Sequence, residues 1–231
     1  MLLILFYKLS NYSKKTLILN LVIILFMRGF VLNTVRVRDE DLIVRILTSK
    51  EVLTLYRFYG ARHSYINVGY HIDFIVEETP KATIKRLRNV TQLPYDFMFD
   101  LQKMLDFKSF VTLLNNHLRD VSKIDGFYYN LLKEISEKIS KRDSKRLLVE
   151  SYVKLLEKEG RLHKENTCFL CDTEIEGKAA LARAFLPAHE KCIMSEGFER
   201  EKLDLLFNEK KTLLFDDFEI NRLWKIINLG F

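Results

Sequence analysis

Cys168-Phe-Leu-Cys171 and His189-Glu-Lys-Cys192 are the residues whose type and spacing most clearly point to chemistry. They use all three cysteines and one of the five histidines of the chain. A two-residue gap lets two side chains on a tight turn converge on one ion, and two such knuckles supply the four ligands of a tetrahedral zinc site. With every position taken by protein, none is left for water, so Cys168, Cys171, His189 and Cys192 are expected to hold a structural rather than a catalytic Zn2+. The competing reading is three thiols buried as small apolar groups. It does not explain why no cysteine falls outside one short window.

Other chemical signals are weaker. No G-x-x-x-x-G-K-[ST] or G-x-G-x-x-G sequence is present to cradle a nucleotide phosphate, so no small-molecule substrate is expected. Thr167 stands where a zinc-deaminase signature needs proline before its first cysteine. His71-x-Asp73 has the spacing of a metal pair on one strand face, but solvent exposure of both is the simpler expectation. Asp216-Asp217 reads as a helix N-terminus rather than a cation site. With the cysteines committed to metal, no Ser, His or Cys nucleophile stands out, and catalytic residues are expected to be none.

The chain has 231 residues, 48 % hydrophobic and 29 % charged, with eight glycines and three prolines. This is the composition of a folded protein with a sizeable core. An odd cysteine count explained by metal favours a reducing cytoplasm over a secreted context. The net charge of +6 is uneven: residues 1–27 carry +3, residues 28–93 carry +4 and residues 94–231 carry −1. The excess in the first part points to a polyanionic partner there.

These groups must be positioned by two kinds of element. From Phe30 to Leu93 the pattern is strand-like, in five short runs: Phe30–Val37, Leu42–Leu47, Val52–Tyr59, Gly69–Glu77 and Thr83–Val90. The fourth alternates most clearly, with Tyr70, Ile72, Phe74 and Val76 against His71, Asp73, Ile75 and Glu77. Five strands in so short a stretch suit a small closed barrel of the OB type. Turns are expected at Arg38–Asp41, Thr48–Lys50, Gly60–Ser64 and Glu78–Pro80. After Pro94 the period becomes helical. Ser144 is placed to cap a helix that runs to Glu159, with Gly160 as its C′ residue. Between the knuckles, Ala179–Leu186 reads as a short helix stopped by Pro187. Two more helices are expected, after Ser195 and after Asp217. The fold class is therefore α+β and multidomain: an N-terminal OB-fold β-barrel (27–93), then an α-helical domain (94–231) with an inserted zinc knuckle module (168–192).

The barrel runs interleave aromatics with cations, as in Tyr56-Arg57-Phe58-Tyr59 followed by Arg62 and His63. Arg36, Arg38, Lys85, Arg86 and Arg88 add to them. Cations meet phosphates and release counterions, and exposed rings stack unpaired bases. Alternation lets only one of two sets in the third run face out, Leu55, Arg57 and Tyr59 or Thr54, Tyr56 and Phe58, and Arg57 with Tyr59 is expected there. Arg36, Arg38, Arg57, Tyr59, Arg62, Lys85, Arg86 and Arg88 are thus the expected contacts to a single-stranded nucleic acid, from charge and strand position.

Met27-Arg28-Gly29-Phe30-Val31-Leu32, Asp39-Glu40-Asp41-Leu42-Ile43-Val44 and Tyr56–Ser64 (YRFYGARHS) together resemble the bacterial RecO family of recombination mediators, over roughly residues 27–231. That family has an OB barrel followed by a helical domain, often with a zinc site of four cysteines; here His189 stands where cysteine is usual. The resemblance implies a non-enzymatic protein of DNA repair. It would bind single- and double-stranded DNA, anneal strands coated by single-strand-binding protein, and work with RecR to load RecA. It also implies a nucleoid-associated, cytoplasmic location.

Residues 16–27 (TLILNLVIILFM) form an apolar run after Lys14-Lys15. The run is short for a membrane span and lacks a signal-type cleavage site. We expect residues 1–26 to be an upstream start-site artefact or a disordered leader, and no membrane association. The competing functional class is a zinc-knuckle nuclease of the His-Asn-His type. It needs further histidines near the metal loop, where only His163 lies.

Overall fold

The structure, a computed structural model, describes residues 3–7, 21–62, 65–78 and 83–230. His63, Ser64, Thr79 and Pro80 of the expected turns, and residues 8–20 of the expected leader, lie outside them. The chain divides into two compact units. One comprises the residues up to Met98 with Leu114–Lys133; the other comprises Phe99–Leu113 with the residues from Glu134 onward.

The first unit is built on strands β1 (Leu3–Tyr7), β2 (Leu21–Val37), β3 (Asp41–Leu47), β4 (Val52–Arg57), β5 (His71–Glu78) and β6 (Arg86–Gln92). Leu3–Tyr7 pairs with the start of β2, from Leu3↔Leu25 to Tyr7↔Leu21. The other five close into a barrel. β2 pairs with β3, β3 with β4, β4 with β6 in parallel, β6 with β5, and β5 back with β2. This closed order is consistent with the OB type. Period-two alternation drives it. Leu42, Val44 and Ile46 of β3 and Ile72, Phe74 and Val76 of β5 point inward and are buried with Val31, Leu55 and Leu87. Each such side chain stabilises the unit by about 1.5–3 kcal/mol relative to exposure.

One strand must serve two neighbours, and β2 does so by bending. Its Ile23–Phe30 segment faces β5 and its Phe30–Val37 segment faces β3, with an irregularity between Val31 and Asn33. Gly29 sits at the crossover. A Cβ there would lie 2.6 Å from both Ile46 Cγ2 and the Leu47 carbonyl, so only glycine lets the strands approach.

Arg45 on β3 caps the segment that follows helix α1 (Leu101–His117). Its guanidinium donates to the Asn115 side-chain and main-chain oxygens at 2.9 and 3.0 Å. It also donates to the carbonyls of Leu118 and, at 2.9 Å, Arg119. The last carbonyls of a helix have no internal partner and attract a cation.

His71 departs from the expectation of solvent exposure. Its ring stacks on Phe30 at 4.2 Å, with an interplanar angle of 6°. Its Nε2 shares a 3.1 Å hydrogen bond with the hydroxyl of Tyr129 on helix α2 (Phe127–Lys138). Asp73 does not join it in a metal pair. It receives a two-pronged salt link from Arg28 at 2.6 and 2.8 Å. An aromatic stack opposite strand β2 gave His71 an alternative to water that alternation could not reveal.

In the second unit the central helix is α3 (Ser144–Lys158), buried on nearly every side through Leu147, Leu148, Tyr152, Val153, Leu155 and Leu156. Its cap is Asp143, whose side chain accepts from the Arg146 amide at 2.8 Å, and not Ser144 as expected. Ser144 Oγ donates instead to the buried Asp106 carboxylate at 2.5 Å. Gly160 ends the helix at φ +67, the left-handed C′ position. The unit also holds the four-residue α4 (Glu190–Ile193), α5 (Arg200–Glu209) and α6 (Asp217–Ile227). Asp216 and Glu219 form a capping box at the start of α6, so the paired aspartates mark a helix N-terminus.

Two stability predictions follow from the first unit. Arg45→Ala should lower its unfolding free energy by about 2 kcal/mol, by denaturant titration, because several carbonyls lose a charged donor together. Burial, then the nearby Arg28 charge, holds the His71 pKa down at about 4. The unfolded chain therefore takes a proton near pH 6.5 that the folded chain refuses, and the stabilising difference is full above that pH. It declines as pH falls toward 4, by up to roughly 2 kcal/mol after allowance for partial exposure. His71→Phe should flatten this part of the stability profile; an unchanged slope between pH 6.5 and 4 would contradict it.

Candidate metal centre and nucleic-acid interface

Cys168, Cys171, His189 and Cys192 come together, with their ligand atoms all within 4.8 Å of one another. None of the cysteines is in a disulfide. Cys171 Sγ and Cys192 Sγ are 4.0 Å apart, and His189 Nδ1 is 3.4 and 3.8 Å from them. Metal–sulfur bonds of about 2.3 Å at tetrahedral angles put sulfurs about 3.8 Å apart. The four groups therefore fit one small tetrahedral ion, and the soft donor set is compatible with zinc. The far nitrogen of the imidazole, Nε2, donates to the Glu174 carbonyl at 3.0 Å, which leaves Nδ1 to face the sulfurs.

Local backbone geometry builds each knuckle. The Cys168 amide donates to the Thr173 carbonyl and the Asp172 amide to the Cys168 carbonyl, both at 2.9 Å, with Asp172 at φ +54. His189 caps α4, which carries Cys192, and the Cys192 amide donates back to the His189 carbonyl at 3.0 Å. Burial raises the Cys168 thiol pKa, but backbone groups of His189, Leu170 and Cys171 favour the thiolate, and the net is a fall to about 6. Thr173 holds the Cys171 thiol down as well.

The linker between the knuckles is not the expected helix over Ala179–Leu186. It is a strand pair, β7 (Ala180–Leu181) with β8 (Pro187–Ala188), joined by a tight turn in which Ala184 and Phe185 both have positive φ. Alanine favours helix locally. Here the backbone is claimed by partners outside the segment. Phe169 N donates to Pro187 O at 3.0 Å, and Ala179 exchanges two hydrogen bonds with Phe198 at 3.0 and 2.9 Å. These bonds carry His189 back beside Cys171.

On the barrel, the structure groups some of the expected contacts and separates others. Arg36 and Arg38 are exposed at the end of β2. Lys85, Arg86 and Arg88 lie at or on β6, where Lys85 pairs with Glu78 at 3.1 Å. Arg86 and Arg88 both pair with Glu77, at 3.8 and 2.7 Å. Arg62 pairs with Glu40 and lies over the Tyr59 ring, 5.2 Å from its centroid. Arg57 is half-buried against the barrel wall. Its Nη1 donates to the Leu87 carbonyl at 3.1 Å, its Nε is buried without a partner, and burial pushes its pKa down. Tyr59 is 58 % exposed.

Phe58 was not among the expected contacts, yet its ring is 37 % exposed. Alternation applies only within β4, which ends at Arg57. Beyond it Asp41 anchors a turn, accepting from the Tyr56 hydroxyl and, at 2.8 Å, from the Tyr59 amide, with Tyr59 at φ +51. Phe58 and Tyr59 thus both reach solvent. The signal for this was Tyr59-Gly60 at the end of an apolar run, a turn that breaks the two-residue period. A groove of about 290 Å³ is lined by Arg38, Tyr56, Phe58, Thr83, Ile84 and Arg86.

Residues 27–98 match the family model described as RecO N terminal. No curated protein matches the chain. His163, the histidine nearest the knuckles in sequence, is exposed beside Glu165 at 3.8 Å and stands outside the metal-binding group. Among the described residues, no helix is long and apolar enough to cross a membrane.

The metal prediction is direct. The purified protein should carry one zinc per chain by elemental analysis. EDTA with a mercurial thiol reagent, or Cys192→Ser, should lower its melting temperature by several degrees. An unchanged melting curve after complete metal removal would contradict a bracing role.

Proposed function

We propose, from the match of residues 27–98 to the RecO N-terminal family model, that the chain is a RecO family protein, a recombination and repair mediator that acts by binding DNA without chemical turnover. In this reading residues 27–93 are the nucleic-acid-binding part, and residues 94–231 are a helical part braced by structural zinc on Cys168, Cys171, His189 and Cys192. The protein binds single- and double-stranded DNA and anneals strands coated by single-strand-binding protein. With RecR it assists RecA loading. It works in the cytoplasm, associated with the nucleoid.

The observation that carries this reading is the gathering of cations and rings at the seam of a closed barrel, where β4 meets β6. Arg38 and Arg86 line a groove with Tyr56 and Phe58, Arg86 and Arg88 lie over the Phe58 ring, and Lys85 meets Tyr56 through its main chain. Several of the cations are paired with Glu77 and Glu78. The Lys85–Glu78 pair is exposed on both sides, and such pairs contribute about 0–1 kcal/mol, so a phosphate can replace that carboxylate at little cost. Arg36 and Arg38 add charge beyond those pairs. The metal would hold its four ligands and their loops in place, and it has no share in DNA contact.

A gel-shift series across salt concentrations tests this. Affinity should fall steeply with salt. Arg86→Ala should weaken binding to all sequences alike and reduce the log–log salt slope on single strands by about 0.7. Arg57→Ala should weaken binding less, because its guanidinium is spent on the barrel wall. The protein should anneal complementary strands and leave plasmid DNA uncut with magnesium or manganese. Salt-independent binding, or nicking, would overturn the reading.

A further inference from the structure

From the geometry at the seam we infer that Phe58 is a base-stacking platform that gives this barrel a preference for single-stranded over duplex nucleic acid. The inference rests on the DNA-binding reading above and deepens it. Three features of the site converge. Phe58 is 37 % exposed, and its ring is held by Tyr56, whose ring centroid lies 4.9 Å away at an interplanar angle of 68°. The Arg86 and Arg88 guanidinium carbons lie over that ring, 5.2 and 6.0 Å from its centroid, so a base stacks there by taking the place of Arg86. Phe58 also forms part of a groove of about 290 Å³ that has Arg38 and Arg86 on its lining.

Each feature matches what an unpaired nucleotide offers. A ring already held in place loses little conformational freedom when a base lies on it, so the stacking free energy is kept. Arg86 is held by Glu77 at only 3.8 Å, while the same carboxylate is closer to Arg88 at 2.7 Å. Arg86 is therefore the more readily released of the two, to follow a phosphate beside the stacked base. A duplex keeps its bases stacked on each other and offers phosphate alone. Cations without the ring would not distinguish the two forms of DNA. The ring adds a contribution that only an unpaired base can collect, at about 1–3 kcal/mol per base.

The bland alternative is that Phe58 merely covers the Tyr56 ring and the stems of Arg86 and Arg88. Leucine would cover them nearly as well but has no flat face, so Phe58→Leu separates the two. The experiment measures affinity of the full chain, at one fixed salt concentration, for a fluorescent oligothymidylate and for an abasic strand of equal length. Wild type should favour oligothymidylate over the abasic strand by about 5- to 100-fold. Phe58→Leu should lose most of that preference while its affinity for the abasic strand changes less than twofold. Arg86→Ala should weaken both strands equally. A thermal melt of Phe58→Leu that overlays wild type excludes misfolding, and Phe58→Trp, which restores a flat ring, should restore the preference if leucine proves destabilising. Equal wild-type affinity for the two strands, or an equal loss on both in Phe58→Leu, would overturn the stacking role and leave phosphate binding intact. Failure of wild type to bind either strand would overturn the DNA-binding reading itself.

Discussion

The closing contact of the barrel is the constraint on which the nucleic-acid reading depends. β4 and β6 meet in parallel through the single registered pair Tyr56↔Arg86, supported by the Tyr56 amide donating to the Lys85 carbonyl at 2.9 Å. This short seam removes a free sheet edge. It also forces two basic stretches, far apart in sequence, into one place. Like charges at such distances repel, and the fold answers with Glu77 and Glu78 on the neighbouring strand β5. Burial, and then the charge of Arg88, lowers the Arg57 pKa.

The second unit meets a different constraint. α3 is buried on nearly all sides, so its neighbours have to be fixed around it. Polar clamps do part of this. The buried Glu150 receives Arg142 at 2.9 Å and the Thr212 amide and hydroxyl at 3.2 and 3.0 Å. Between α3 and α5 the chain has little regular structure to hold it. Here Cys168, Cys171, His189 and Cys192 gather close enough to hold one metal ion, and the Ala179–Phe198 hydrogen bonds link the chain where helices are missing. The Arg222 guanidinium, 4.3 Å from the Phe198 ring centroid, ties α6 to the same place.

Much of this was legible in the sequence, where local rules and tertiary demands agree. The alternation around Phe74 marked a strand, Gly160 marked a helix end, Asp216 marked a helix start, and the cysteine spacing marked the metal-binding group. Three of the failures share one cause: a partner distant in sequence outbid the local rule. Ala179–Leu186 has helix-forming residues but is pinned by Phe198 at Ala179 and, just past its end, by Phe169 at Pro187. His71 sits on an outward strand position but finds Phe30 and Tyr129. Ser144 is a good cap, yet Asp106 claims its hydroxyl and Asp143 takes the role. Phe58 was hidden by an alternation rule carried past the end of its strand. The pairing of cations with Glu77 and Glu78 could not be seen at all without the sheet register.

The central claim is that nucleic acid lies across the β4–β6 seam. Photo-crosslinking of a single strand carrying halogenated uracils, followed by mass spectrometry of the joined peptides, tests it most directly. The account predicts attachment within residues 52–62 and 83–92. Attachment confined to residues 134–231 would contradict it.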